Sequence, residues 1–234
     1  MGYLPIFVDV AGRPCAVIGG GAAAESKLRA LMERGAAVTV ISPTAGARVA
    51  ALAESGAITW HRRRWRAEDL VGFEIVFCAV DDPDASRRVA AQARKLGIPV
   101  NVADQPELCT FIAPAIVRRG DLQIAISTSG ASPALAARIR TRLEGEFGAE
   151  HALMLVVLRS ARAFLRGLRL GASERSRRLG ALVDCDLAAI FRAGDGEALD
   201  RALRDTIGCD LSALGLNGSV LFDRVPAPDR PNPG

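Results

Sequence analysis

The run Gly19-Gly20-Gly21-Ala22-Ala23-Ala24 has the spacing G-x-G-x-x-A. It lies between a short apolar run, Cys15–Ile18, and a helical pattern over Ala22–Arg34. Each position has a physical task in dinucleotide binding. Gly19 makes a tight turn, Gly21 lets the backbone approach a pyrophosphate, and Ala24 keeps helix and strand close. The helix N-terminus, at Ala22 and Ala23, then offers free N–H groups and a positive dipole end to the phosphates. The bland alternative is a glycine turn that only packs. An acidic residue usually ends the second strand, where it binds a ribose diol. Here that place reads Ser42-Pro43-Thr44. A hydroxyl can bond the ribose but discriminates less well against a 2′-phosphate. No arginine adjoins this stretch, Arg48 being the next in sequence, so NAD is expected over NADP.

A second candidate is Asp104, just after the strand pattern Pro99–Val102. Ligands bind at the carboxyl ends of parallel strands, and an aspartate there can take a proton as general base. Its alternative is a loop or capping residue. Asp81-Asp82, before Pro83, could draw a cation or face the nicotinamide cleft, but suits helix capping better. The two histidines, His61 and His151, are ninety residues apart without Cys or carboxylate partners at ligand spacing, so no metal site is expected. Five cysteines without a CxxC exclude a disulfide framework. Cys15 and Cys78 sit in apolar runs and are expected to be buried.

The net charge is +4, and only Lys27 and Lys95 of the 30 basic residues are lysine. GC-rich codon usage accounts for this blandly. Functionally, the runs Arg62-Arg63-Arg64 with Arg66 and Arg175 with Arg177-Arg178 could pair with carboxylates or phosphates. No nucleic-acid-binding motif accompanies them, so a nucleic-acid partner is not expected. Half the residues are apolar and 5% aromatic, which implies a core of small aliphatic side chains. No apolar run approaches the roughly 20 residues that span a bilayer, and the N-terminus does not read as a signal peptide. A cytoplasmic location without membrane attachment is the expectation.

The elements that must position these residues alternate over the first hundred positions. Strand patterns fall at Leu4–Val8 (an edge strand), Cys15–Ile18, Ala37–Ile41, Ile58–His61, Ile75–Ala79 and Pro99–Val102. Helical patterns fall at Ala22–Arg34, Ala45–Ser55 and Pro83–Leu96, with Gly35 and Gly97 as terminators. This predicts an α/β fold with a mostly parallel, doubly wound sheet over 1–113. Leu122–Ser127 then alternates as a strand, followed by a polar turn over 128–133. Helices are predicted at Ala134–Glu146, Ala152–Leu165, Ser173–Leu182 and Glu197–Asp205. The Pro-rich tail, 223–234, is expected to be disordered.

Several segments together resemble the siroheme synthase N-terminal module, the precorrin-2 dehydrogenase/sirohydrochlorin ferrochelatase family. They are Leu4-Pro5-Ile6-Phe7, Val17-Ile18-Gly19-Gly20-Gly21, Ala24-Glu25-Ser26-Lys27, Ala79-Val80-Asp81-Asp82, Asn101-Val102-Ala103-Asp104, Phe111-Ile112-Ala113-Pro114-Ala115-Ile116 and Ile124 to Pro133. The resemblance is close over about 1–145 and loose beyond. It implies a Rossmann-type NAD-binding domain (1–113), a small dimerisation region (114–145) and a helical C-terminal domain (146–222). It implies an intertwined homodimer with active sites in clefts between the domains. It further implies oxidation of precorrin-2 to sirohydrochlorin with NAD⁺. Many members also insert Fe²⁺ to give siroheme and others only dehydrogenate; both remain open for these residues. No segment resembles the methyltransferase domain that follows in some members, so the stand-alone form is expected.

Residue by residue, the resemblance places Gly19, Gly21, Ala22 and Ala23 at the pyrophosphate turn and Pro43 and Thr44 beside the adenosine ribose. It makes Asp104 the catalytic aspartate and puts Ser127, Thr128 and Ser132 at the tetrapyrrole. Thr128 departs from the family's frequent serine but keeps a hydroxyl. Two rivals stand beside this reading. One is an NAD(H)-sensing module without catalysis, which would not require Asp104 or the polar turn. The other is a different NAD-dependent dehydrogenase, which would need a Lys, Tyr or His at the nicotinamide that the sequence does not offer.

Overall fold

The structure, a computed structural model, describes residues 2–223. The chain divides into two compact units, Met1–Ala113 and Pro114–Gly234.

The first unit runs β1 (Pro14–Ile18), α1 (Ala22–Met32), β2 (Ala37–Ile41), α2 (Ala47–Glu54), β3 (Thr59–His61), β4 (Ile75–Cys78), α3 (Pro83–Lys95) and β5 (Val100–Val102). The strands form one sheet in the order β3-β2-β1-β4-β5, and every pairing is parallel. Successive strand residues face opposite sides of a sheet, and here both sides are covered. Cys15 and Val17 of β1, Val38 and Val40 of β2 and Phe77 of β4 pack with Ala24, Leu28 and Leu31 of α1 and Val49 of α2. Ala16, Ile18, Ile41, Val76, Cys78 and Val100 pack on the other side with Val89, Ala90 and Ala93 of α3. Burial on both faces is why β1 and β4 read as unbroken apolar runs. Gly35 and Gly97 follow their helices at φ +72° and +71°, the left-handed conformation that ends a helix.

The expected edge strand at Leu4–Val8 does not form: residues 2–10 have no regular structure. Leu4, Ile6 and Phe7 are exposed, and only Val10 is buried. An apolar run becomes a strand only where its N–H and C=O groups find a partner. The sheet edges are β3 and β5, and Pro5 has no N–H to donate.

The second unit opens with an antiparallel hairpin, β6 (Ala115–Arg119) and β7 (Leu122–Ile126), in which Arg119 opposes Leu122. Six helices follow: α4 (Pro133–Glu146), α5 (Glu150–Gly167), α6 (Ala172–Asp184), α7 (Leu187–Ala193), α8 (Gly196–Ile207) and α9 (Gly218–Asp223). Leu153, Val157, Ala161 and Leu165 recur every fourth residue along α5. They bury against Leu182, Leu187, Phe191, Leu199, Leu203 and Ile207.

Sequence reading missed β6, α7 and α9. Two arginines close β6, which hides its apolar period, and a hairpin strand cannot stand without its partner. The seven residues of α7 are too few for a clear period. Its ends were nevertheless signalled: the Asp186 side chain accepts from the Ala189 N–H at 3.0 Å, and Gly194 closes the helix at φ +67°. Of the tail expected to be disordered, Asp223 closes α9 and the remainder lies outside the described residues.

Candidate functional site

The order β3-β2-β1-β4-β5 reverses direction between β1 and β4, and the glycine turn crosses that point. The Gly19 N–H donates to the Ile41 carbonyl at 3.0 Å, and the Ala79 N–H donates to Ile18 at 2.8 Å. Gly19 sits at φ +123°, and a Cβ on it would meet the Ala79 carbonyl oxygen at 2.1 Å. Gly20 is equally confined, since its Cβ would lie 2.1 Å from the Thr44 oxygen and 2.8 Å from Ala45 Cα. The motif leaves Gly20 unspecified, so sequence reading passed over it. Gly21 differs from both. It has an ordinary extended backbone, φ −83° and ψ −175°, and a Cβ there would meet nothing within 4 Å. The chain itself does not require glycine at 21; the space in front of it is open.

Gly21 is also the N-cap of α1 and supplies no side-chain cap. Ala22 and Ala23 are exposed, while Ala24 is buried against the sheet. α3 differs: its Asp82 N-cap accepts from the Asp84 N–H at 2.9 Å, and the backbone N–H groups of Ala85 and Asp84 hold the Asp82 carboxyl below its usual range. Asp82 therefore caps, as its place before Pro83 suggested.

Pro43 and Thr44 lie exposed just past the end of β2. The buried Ser42 donates its hydroxyl to the Thr44 carbonyl at 2.6 Å, so it shapes this turn. Parallel pairing brings β3 alongside: Ile41 is in register with His61, and the Ser42 N–H donates to the His61 carbonyl at 3.2 Å. The Trp60 indole N–H donates to the Ser42 carbonyl at 3.0 Å, and the Arg62 guanidinium lies 4.3 Å from the Trp60 ring centroid. Arg62, eighteen or more positions along the chain, thus adjoins a stretch that has no arginine beside it in sequence.

Asp104 follows β5, two strands from β1, or about 10 Å across the carboxyl edge of the sheet at normal strand spacing. It is exposed and sits at φ +57°. Among the described residues its carboxylate accepts no hydrogen bond, so the capping alternative is not what holds it there. The turn is held by its neighbours. Cys109 Sγ accepts from the Val102 N–H at 3.1 Å, and Thr110 Oγ1 accepts from Val100 at 2.8 Å. Asn101 donates its side-chain amide to the Phe111 carbonyl at 3.1 Å. The free edge of β5 is thereby tied down by residues 109–111. Cys109 is a brace, which its isolated place in the sequence did not reveal.

In the second unit, Ser127, Thr128 and Ser132 build the turn before α4. The Ser127 hydroxyl accepts from the Ser129 N–H at 3.0 Å. Thr128 Oγ1 accepts from the Ser132 N–H at 3.1 Å and donates to the Ser132 carbonyl at 3.0 Å. Ser132 caps α4 by accepting from Leu135 at 3.2 Å. Ser129 and Gly130 follow one another at φ +53° and +84°. Thr128 spends its proton inside the turn; Ser127 and Ser132 keep theirs to donate.

The two arginine runs are occupied unevenly within the chain. Arg63 grips Asp69 through two bonds of 2.7 Å, which holds the Asp69 carboxyl below its usual range. Arg177 and Arg178 converge on Glu174 and hold it down to about 2. Arg64 and Arg66 stay exposed. Cys15 and Cys78 are buried, as expected, and burial pushes the Cys78 thiol up to about 11, so it is an inert thiol rather than a nucleophile. No three His, Cys, Asp or Glu side chains converge as metal ligands among the described residues. No helix among them is long and apolar enough to cross a membrane.

A parallel sheet in this order, with a glycine turn at its switch point and an uncapped helix behind it, defines a Rossmann-type dinucleotide-binding domain. Comparison with known proteins narrows the class. Residues 6–115 match a family described as putative NAD(P)-binding, and residues 119–146 match the sirohaem biosynthesis protein central family. A siroheme synthase of Methylococcus capsulatus is 47% identical over 144 residues, 62% of this chain and 30% of that protein. One from Thioalkalivibrio sulfidiphilus is 33% identical over 223 residues, 95% of this chain and 45% of that protein. The chain thus spans less than half the length of these relatives. The solved structure of SirC, a precorrin-2 dehydrogenase, superposes with a TM-score of 0.66 at 27% identity, covering 80% of this chain and 92% of that one. In sequence this chain is thus similar to the siroheme synthases, and in fold to SirC.

Proposed function

We propose that this chain oxidises precorrin-2 to sirohydrochlorin, with NAD⁺ leaving as NADH and one proton released. The observation that carries this is Gly21, a glycine with ordinary backbone angles and open space before it, at the switch point of the sheet. Such a position serves a group outside the chain. A pyrophosphate fits there: the N–H groups of Ala22 and Ala23 would donate to it, and Pro43 and Thr44 would border the ribose. Bound NAD⁺ supplies a hydride acceptor. Asp104 would accept the proton, and an exposed carboxylate without an internal partner suits that role. Ser127 and Ser132 would donate hydroxyl protons to substrate carboxylates, with Thr128 holding the turn in shape. Should Fe²⁺ insertion follow, the macrocycle nitrogens would hold the metal as substrate, and the same exposed carboxylate would take the two pyrrole protons in turn, passing each to solvent. The reading includes a cytoplasmic homodimer joined through 114–145, because a hairpin and one helix cannot bury both their faces alone.

Mixing the purified chain with precorrin-2 and NAD⁺, with and without Fe²⁺ or Co²⁺, and following absorbance tests this. Expected is stoichiometric NADH with sirohydrochlorin. NAD⁺ binding without turnover would make the chain a nucleotide sensor instead. Light scattering that gives only monomer at micromolar concentration would refute the dimer.

A further inference from the structure

We propose that Arg62, stacked on Trp60, is a binding site for the 2′-phosphate of an adenine dinucleotide, so that this chain accepts NADP as well as NAD. The proposal rests on the dinucleotide reading of the glycine turn and deepens it. Four observations carry it. First, the stretch that would meet the ribose is Ser42-Pro43-Thr44, without the carboxylate that bonds a diol and repels a phosphate. Ser42 does not substitute for it, since its side chain is uncharged and buried.

Second, β3 pairs in parallel with β2 and ends level with it, Ile41 opposite His61. The next residue of β3's chain, Arg62, therefore emerges beside Ser42. It lies on the same face as Trp60, and Trp60 packs in the core layer that also holds α1 and α2.

Third, the guanidinium has a place to rest. It lies 4.3 Å from the Trp60 ring centroid, and the indole is itself anchored to the Ser42 carbonyl. A stacked guanidinium keeps its N–H edge free to grip a phosphate in a bidentate fork.

Fourth, Arg62 is uncommitted. Among the described residues it makes no hydrogen bond or ion pair, whereas its neighbour Arg63 is committed to Asp69. Arg62 is thus the member of the arginine run that folding leaves available at this place.

The test is calorimetric titration of the full chain with NAD⁺ and NADP⁺, comparing wild type with Arg62→Gln and Arg62→Lys. Arg62 is exposed, so matching melting temperatures are expected and are checked. A charge-assisted bond to a phosphate corresponds to about tenfold or more in affinity. Arg62→Gln should weaken NADP⁺ binding by at least that factor and NAD⁺ binding by less than about twofold. Arg62→Lys should fall between, since it keeps the charge and loses the fork. NADP⁺ affinity should also fall more steeply with salt than NAD⁺ affinity in wild type and Arg62→Lys, a difference that should shrink in Arg62→Gln. Binding of NAD⁺ but not NADP⁺ by wild type would overturn this proposal and leave the dinucleotide reading intact. So would equal losses for both ligands in Arg62→Gln. Binding of neither would overturn both.

Discussion

Replacing Gly21 by Asp should leave the fold at least as stable and abolish dinucleotide binding. The extended backbone at 21 suits any L residue, and the added Cβ meets nothing within 4 Å. An Asp there gives α1 a side-chain cap, which Gly21 does not supply. Aspartate caps better than glycine and favours the helix dipole, while fewer unfolded conformations add to the gain, together about 0.5–1 kcal/mol. The melting temperature should hold or rise by a few degrees, at about 2–4 °C per kcal/mol for a chain of this size. The same carboxylate takes the N–H groups a pyrophosphate would use and opposes its charge. Two unit charges about 4 Å apart in a surface environment repel by about 4 kcal/mol, or roughly a thousandfold in affinity. Gly20→Ala is the contrast: its Cβ would collide with the Thr44 oxygen at 2.1 Å, which costs about 1–3 kcal/mol or more. Calorimetric titration with NAD⁺ and differential scanning fluorimetry on both variants decide the matter. Wild-type NAD⁺ affinity in Gly21→Asp would refute the turn assignment. A stability loss in Gly21→Asp matching that of Gly20→Ala would show that the chain, not a ligand, needs the space.

Asp104→Ala and Asp104→Asn should both lose about 10²–10⁴-fold in precorrin-2 oxidation while binding NAD⁺ normally. Asn, which tolerates the left-handed backbone at φ +57°, should melt at or above wild type, and near-wild-type turnover in a folded Ala variant would remove Asp104 from the mechanism. The Arg63–Asp69 pair lowers the folded carboxyl below the ordinary 3.8. Its stability contribution should therefore be complete above that value and vanish as pH falls through the lowered one; acid titration of unfolding should lose this component in Asp69→Asn. Glu174, held to about 2 against an ordinary 4.5, should add a second loss across that interval, absent in Glu174→Gln. Thr128→Val removes a hydroxyl that bonds Ser132 twice and should cost about 1–3 kcal/mol, whereas Thr128→Ser should restore both stability and turnover.

Much of the first unit was legible because its strands are buried on both faces and its helices end at glycines. Continuous apolar runs between Gly and Pro leave little choice of element, and Ala37–Ile41 has the same bounds in sequence and structure. The glycine spacing likewise marked the turn that crosses the switch point of the sheet. Pairing is another matter, because a strand's partner lies outside its own sequence. Apolar composition at Leu4–Val8 suggested a strand, yet no edge receives it; the arginines of Ala115–Arg119 obscured one, yet β7 completes it. The same reason separates Gly20 from Gly21. Both are glycine in one run, and only the approach of Thr44 across the fold shows that the first is confined by the chain and the second is not. The arginine run is read most differently of all. Sequence offers Arg62, Arg63 and Arg64 as three like charges. Tertiary structure ties Arg63 to Asp69, lays Arg62 on Trp60 beside the end of β2, and leaves Arg64 exposed. Charge is a property of the residue, but which charge is free, and beside what, is settled by the strands that neighbour it.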